Sequence, residues 1–293
     1  MKKKFIDPNL KNKSKTVENR LQFVEYNEKK FPLPTEIEIS ESGTCNRTCS
    51  FCPRSDPGFE DKKEFISNEL HLKMCSELKG LNYQGTIRYS GFIEPMVDKN
   101  IFNLISSART ALPKSNIEMV TNGDVLNLRR LKRLFSNGLS KILISAYDGK
   151  EDADKLHQLC LEAGLLDHQF IVRHRYLSED QDFGITLSYR SGLMENAEFK
   201  IKGLSEPLKK PCYIPAYTFF LDYQGDVLIC PHDWGKKIIL GNLNTSSILD
   251  IWFSSKAMKI RGMLIQANRN FKPCNLCDVD GTLMGKKNST FFV

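Results

Sequence analysis

The chain has 293 residues, enough for one large domain or for a domain of about 200 residues with a smaller appendage. An apolar share of 41% and a charged share of 26% exclude a chain disordered throughout. No apolar run is long enough to span a bilayer or to serve as a signal peptide, so a cytoplasmic chain is expected. The net charge of +7 comes partly from Lys2, Lys3, Lys4, Lys11, Lys13 and Lys15, and no basic stretch is interleaved with aromatics in an RNA-binding pattern; the reading is a solvated, loosely ordered extension over residues 1–30, not a nucleic-acid arm. Such a surface also suits an acidic partner such as a reduced electron carrier, or a phosphorylated substrate.

In chain order, Glu36-Ile37-Glu38-Ile39-Ser40 alternates apolar and polar as a strand does and runs directly into Gly43-Thr44-Cys45. Ser67 is placed to cap a helix carrying Leu70, Met74 and Leu78 at helical spacing. Strands over 86–89, 117–120, 141–145, 169–176 and 185–189 alternate with helices over 101–111, 126–135 and 152–163, which argues for βα units around a parallel sheet of about six strands. Gly203, Pro207 and Pro211 mark a polar connection and a boundary near residue 205. Beyond it come a hairpin over 219–229 and a helix over 247–261, a second, smaller module.

Nine cysteines in a reducing compartment are not expected to form disulfides, and their clustering points to metal or catalysis. Cys45, Cys49 and Cys52 follow C-x-x-x-C-x-x-C on one loop after a strand. Three soft thiolates there fit three corners of an iron–sulfur cube and leave one iron open for a small chelating ligand; with a distant fourth ligand they also fit zinc. Cys75 and Cys160 stand isolated on helices and read as packing residues. Cys212, Cys230, Cys274 and Cys277 complete a four-thiolate set, adequate for structural zinc or for a fully ligated [4Fe–4S] cluster.

Cys45-Asn46-Arg47-Thr48-Cys49-Ser50-Phe51-Cys52 resembles the signature of the radical S-adenosylmethionine (SAM) superfamily, including the aromatic before the last cysteine. The resemblance implies a partial (β/α)6 barrel over residues 31–205, with SAM on the open iron and Phe51 against its adenine. Tyr89-Ser90-Gly91-Phe92-Ile93-Glu94-Pro95 stands where the family has a glycine-rich turn before Glu-Pro. It implies a backbone contact to the SAM amino group around Gly91 and Glu94, although Ser90 and Phe92-Ile93 depart from the usual Gly-Gly-Glu. Thr121-Asn122-Gly123 and Ser145-Ala146-Tyr147-Asp148-Gly149 resemble phrases at the carboxyl edge of such barrels, with Asn122 and Ser145 as SAM-contact candidates. Phe170 to Tyr176 lacks the glycine-rich adenine motif of some members, and its alternation points either Arg173 and Arg175 or His174 and Tyr176 inward. Arg173, Arg175, Tyr147, Tyr189 and Arg190 fall near strand ends, where a barrel places its chemistry, and no one of them is singled out as the base.

The order Pro211-Cys212, Gln224-Gly225-Asp226, Cys230-Pro231-His232-Asp233, Gly241-Asn242-Leu243, Ile251-Trp252 and Cys274-Asn275-Leu276-Cys277 resembles the SPASM or shortened twitch extension of radical SAM enzymes, a small α+β module over 206–293. It implies one auxiliary [4Fe–4S] cluster, with His232 and Asp233 beside a ligand. Paired with a radical-generating cluster, an auxiliary cluster suits net oxidation: a 5′-deoxyadenosyl radical takes hydrogen from an alcohol carbon, a proton leaves, one electron passes to the auxiliary cluster and a ketone results. Relatives with this extension act on sugar-like and aminocyclitol molecules or on peptides. The short segment ahead of the barrel favours dehydrogenation or epimerisation of a small molecule, with a ferredoxin- or flavodoxin-type electron donor. Peptide or protein modification is the alternative, and a non-catalytic metal-binding adaptor a second one.

Overall fold

The computed structural model describes residues 7–177, 188, 190–193, 195 and 202–292. Helix α1 (Pro8–Asn19) starts at Asp7, whose side chain accepts from the Asn9 N–H at 2.8 Å. A hairpin follows, β1 (Phe23–Tyr26) and β2 (Lys29–Pro32), and then β3 (Glu36–Ser40). The cysteine loop after β3 is framed by a short antiparallel pair, β4 (Ser42–Gly43) and β5 (Lys62–Phe65). Next come α2 (Asn68–Gly80), β6 (Thr86–Tyr89), α3 (Ile101–Ala111), β7 (Asn116–Thr121), α4 (Leu128–Ser136), β8 (Lys141–Ala146), α5 (Lys150–Glu162) and β9 (Phe170–His174). Ser67 does cap α2, accepting from the Leu70 N–H at 3.1 Å.

Strands β3, β6, β7, β8 and β9 are parallel neighbours, so the α/β architecture of a partial barrel is present. The expected sixth strand over 185–189 lies outside the described residues, apart from Ser188. On the other edge, β10 (Thr218–Asp222) joins β3 in parallel, from Thr218 beside Glu36 to Asp222 beside Ser40. Strands β11 (Asp226–Leu228) and β12 (Ile239–Asn242) then extend this sheet antiparallel. The expected single helix over 247–261 is two, α6 (Ile248–Trp252) and α7 (Ser255–Ile265). Ser254 interrupts it by accepting from the Ala257 N–H at 3.2 Å, a new N-cap, and the Trp252 indole N–H donates to the Pro32 carbonyl at 3.0 Å. A last turn, α8, covers Lys286–Ser289.

Side chains alternate between the two faces of the sheet. Ile37, Ile39, Ile87, Tyr89, Ile117, Met119, Ile142 and Ile144 face the helices and form the main core. Glu36, Glu38, Arg88, Glu118, Ser145 and Arg173 face the concave side, and they too are buried. The cover is α1, which corrects the expectation of a loosely ordered N-terminal extension. Lys13 pairs with Glu36, and with Glu38 at 3.5 Å; Asn9 accepts from Arg88 at 3.2 Å; Asn12 donates to Glu118 at 3.1 Å and accepts from Lys141 at 2.8 Å. Arg88 bridges Glu36 at 3.1 Å and Glu118 at 3.0 Å. Burial opposes ionisation of Glu36, but Lys13 and Arg88 override it and hold its pKa down to about 2. Val17 finishes the contact in an apolar cluster with Ile214, Tyr217 and Met284.

On the helix side, His71 is fully buried, with Nε2 2.8 Å from the Tyr89 hydroxyl. Burial lowers its pKa from 6.5 to about 4. Between those values the unfolded chain binds a proton that the folded one refuses. Stability is therefore greatest above pH 6.5 and falls through this window by up to about 3 kcal/mol. Denaturation series on wild type and His71→Gln should show a shallower acid slope in the variant; equal slopes would assign the loss to other groups.

Candidate active site

The loops at the carboxyl ends of β3, β6, β7 and β8 close around one pocket. Cys45, Cys49 and Cys52 line it together with Phe51, Gly91, Glu94, Asn122, Ser145, Tyr147 and Arg173. Gly91 sits at φ +105°, and a Cβ there would meet the Phe220 ring at 3.0 Å and Ser40 Cβ at 3.1 Å, so the turn needs glycine. Phe51 lies against Tyr147, ring centroids 5.4 Å apart. On the rim Phe92 packs on Trp234 at 4.7 Å, which brings the loop after Cys230 to the edge of the pocket.

Glu94 has a side-chain role that its motif did not suggest. Its carboxylate accepts from the Met96 N–H at 3.0 Å, the Thr121 hydroxyl at 2.6 Å and the Asn122 N–H at 2.6 Å, tying the β6 turn to the end of β7. Burial raises its pKa to about 7 against the pull of these donors. Arg173 is buried at the pocket wall, donating to the Ser145 hydroxyl at 2.6 Å and pairing with Asp7 at 3.2 Å. Burial and then the neighbouring Arg175 push its pKa down, with Asp7 opposing them. The alternation in β9 thus points Arg173 and Arg175 inward, and Arg175 stands behind the pocket, 3.7 Å from Asp7.

A bracket of charges holds the cysteine loop to the barrel mouth. Arg47 donates from Nε to Asp124 at 2.7 Å and from Nη1 to Asp148 at 2.9 Å, while its Nη2 pairs with both carboxylates. Asn46 donates to Asp124 at 2.8 Å and accepts from the Asn122 amide at 2.8 Å. Arg54 reaches the carbonyls of Gly43 at 2.9 Å and Phe92 at 2.7 Å and pairs with Asp61. Arg47, Arg54, Asp124 and Trp234 carry no motif of their own; the one signal in the sequence is that Arg47 lies within the cysteine triad and Arg54 just after it.

The second cysteine set converges as well. Cys212, Cys230, Cys274 and Cys277 line one enclosed cavity with His232 and Arg269. A Cβ on Gly281 would stand 2.3 Å from the Cys212 sulfur, so that glycine lets the chain pass against the thiol. Asp233 is a loop former, accepting from the Lys237 N–H at 3.0 Å and the Ile238 N–H at 2.8 Å. Among the described residues, no three His, Cys, Asp or Glu side chains form a single-ion site. Burial pushes Cys49 and Cys212 up to about 11 and raises Cys45, Cys230 and Cys274 too, and within each set neighbouring cysteines add to the rise. A buried thiolate group of this kind calls for a cationic centre, and soft sulfur donors in threes and fours fit iron–sulfur clusters.

Residues 39–175 match the model of the Radical SAM superfamily, and residues 212–278 match that of the SPASM iron–sulfur cluster-binding domain. The chain belongs to the radical SAM superfamily. As a radical SAM enzyme with a SPASM domain it uses SAM, a [4Fe–4S] cluster and auxiliary iron–sulfur chemistry. It is 27% identical over 243 residues to the S-adenosyl-L-methionine-dependent 2-deoxy-scyllo-inosamine dehydrogenase of Niallia circulans, covering 82% of this chain and 92% of that one. A 31% identity to a GTP 3′,8-cyclase of Mesorhizobium japonicum covers 42% of this chain and 37% of that relative. The crystal structure of BtrN in complex with AdoMet and 2-DOIA shares the fold at a TM-score of 0.70 and 24% identity, over 85% of this chain and 95% of that one.

Within this radical SAM frame, Cys75 and Cys160 are core residues, 1% and 0% exposed. Tyr189 and the Arg190 side chain lie outside the described residues. Among the described residues no helix is long and apolar enough to cross a membrane.

Proposed function

We propose that this enzyme oxidises an alcohol carbon of an aminocyclitol or sugar-like small molecule, with Cys45, Cys49 and Cys52 holding the SAM-binding cluster and Cys212, Cys230, Cys274 and Cys277 the auxiliary one. The observation that carries the reading is the pocket itself: the cysteine triad, the Gly91 turn, Ser145 and Arg173 share one cavity, and Trp234 of the auxiliary module forms its rim. The relation to a 2-deoxy-scyllo-inosamine dehydrogenase along 92% of its length supports this substrate class. The domains are a barrel over 31–205 and an auxiliary module over 206–293, preceded by residues 1–30.

Held at Cys45, Cys49 and Cys52, a cluster with SAM would supply a 5′-deoxyadenosyl radical for hydrogen abstraction, and one held at Cys212, Cys230, Cys274 and Cys277 would supply an acceptor for the remaining electron. The protein orients the participants. With SAM in the pocket, Phe51 would lie against the adenine, the backbone around Gly91 and Glu94 would meet the methionyl amino group, and Asn122 and Ser145 would flank it. Arg173, held by Asp7 and Ser145, presents a fixed cation to the substrate hydroxyl that loses its proton. The first electron comes from a ferredoxin- or flavodoxin-type donor.

Anaerobic reconstitution followed by iron and sulfide analysis, then dithionite and SAM, tests the assignment. About eight irons per chain, 5′-deoxyadenosine and a ketone from an aminocyclitol panel are expected. Product from peptides alone would move the enzyme to peptide modification, and zinc without cleavage would make it an adaptor. Cys277→Ala should lose about half the iron and still cleave SAM, uncoupled from ketone formation; full iron in that variant would sink the auxiliary ligand set.

A further inference from the structure

The first turns of α4 carry a concentration of positive charge that the active site leaves unused. Arg129, Lys132 and Arg133 are exposed on one side of the helix, while Leu131 and Leu134 are buried on the other. Arg129, Arg130 and Arg133 line a groove with Lys99, Phe102 and Asn127. Its floor is firm: Arg133 stacks over the Phe102 ring at 4.2 Å and Arg130 donates to the Val125 carbonyl at 3.0 Å. Among the described residues none of these cations forms an ion pair with a carboxylate. Asp124, the acid nearest to α4 in sequence, is already held by Arg47.

This groove adjoins the radical-forming site. Glu94 leads through Asp98 to Lys99, and Asn122 leads through Asp124 to Asn127, so both segments that leave the pocket wall between β6 and α4 run into the groove. Asp124 also anchors Asn46 and Arg47 of the cysteine loop. An anionic surface seated on α4 therefore rests beside the loop that carries Cys45, Cys49 and Cys52.

We infer that the α4 groove is the docking surface for the acidic one-electron carrier that reduces the cluster at this loop. The inference rests on the radical SAM reading above, which demands one electron at that loop for each radical formed. Ferredoxin- and flavodoxin-type carriers present acidic surfaces around their redox groups, and the opposite charge on α4 complements them without a buried ion pair. Attraction of this kind acts on the encounter rate and is screened by salt. Lys99, Arg129 and Arg133 steer the carrier, and the Phe102 ring beneath Arg133 holds that guanidinium in place.

The test uses the reconstituted full-length enzyme, a purified flavodoxin with its reductase and NADPH, and dithionite as the alternative reductant. In Arg129→Glu/Lys132→Glu, two exposed positions, flavodoxin-driven 5′-deoxyadenosine formation should fall about tenfold at low ionic strength. The dithionite-driven rate should stay at the wild-type level. Added salt should slow the wild type toward the variant, and calorimetric binding of flavodoxin should weaken in parallel. The neutral pair Arg129→Ala/Lys132→Ala should fall between. An unchanged flavodoxin-driven rate and affinity, or an equal loss with both reductants, would overturn the docking surface. A wild type that cleaves no SAM with either reductant would instead overturn the radical SAM reading, and flavodoxin binding to wild type and variant would still decide the groove.

Discussion

Cys49→Ala is expected to bring SAM cleavage below detection while leaving about half the iron in the protein. Only three thiols reach the pocket from the loop after β3, and each is needed at one corner of a cube whose fourth iron stays open. A two-thiol remnant cannot hold that geometry. The loss should far exceed the ~10–100-fold that removal of an outer-shell partner costs. Arg47→Ala gives the comparison: it releases Asp124 and Asp148 but no ligand, so its effect should stay within that smaller range. The readout is 5′-deoxyadenosine from dithionite-reduced protein, with iron counted in the same samples. Undiminished cleavage in Cys49→Ala would end the assignment of the triad.

The second large effect is on stability. Arg88 is 2% exposed and joins Glu36 to Glu118 under α1. Arg88→Met fills similar space but leaves both carboxylates without their shared cation, and Lys13 reaches only Glu36 and Glu38. Breaking a buried ionic set from one side costs about 3–5 kcal/mol, because an uncompensated charge stays behind. At this chain length that is a fall in Tm of roughly 10 °C. Glu36 should also lose its depressed pKa: its stabilisation, full above pH 4.5 in the wild type and lost as pH falls toward about 2, should shrink in Arg88→Met. Equal melting curves at neutral pH would show that α1 alone carries the concave face.

What could be read from the chain was what is local. Ile37 and Ile39 declare β3 by their period, Ser67 declares the start of α2, and Cys45, Cys49 and Cys52 lie within one loop. Helix α1 was hidden because its order comes from partners elsewhere. Read alone, Lys13 and Asn12 are solvated polar residues; only Glu36, Glu38 and Glu118 turn them inward. For the same reason the alternation of Glu36 to Ser40 marks a strand without showing that both its faces are covered, as the structure has them. Arg47 meets Asp124 and Asp148 across 77 and 101 residues, and no short-range pattern encodes such a meeting. The break at Ser254 was missed because a serine inside an apolar helical pattern reads equally as an exposed helix position.

Strand β10 has one more consequence. Its ladder with β3 runs in unbroken parallel register, so the strand that leads to the cysteine triad and the module that holds the second set share a single twisted sheet. The cysteine-rich module cannot swing clear as a hinged door without tearing that ladder. Admission of a substrate falls instead to the rim, where Trp234 rests on Phe92 and Phe59 and Lys236 sits at φ +48°. The same ladder that carries the barrel's first strand thus limits how far one set of thiols can move relative to the other.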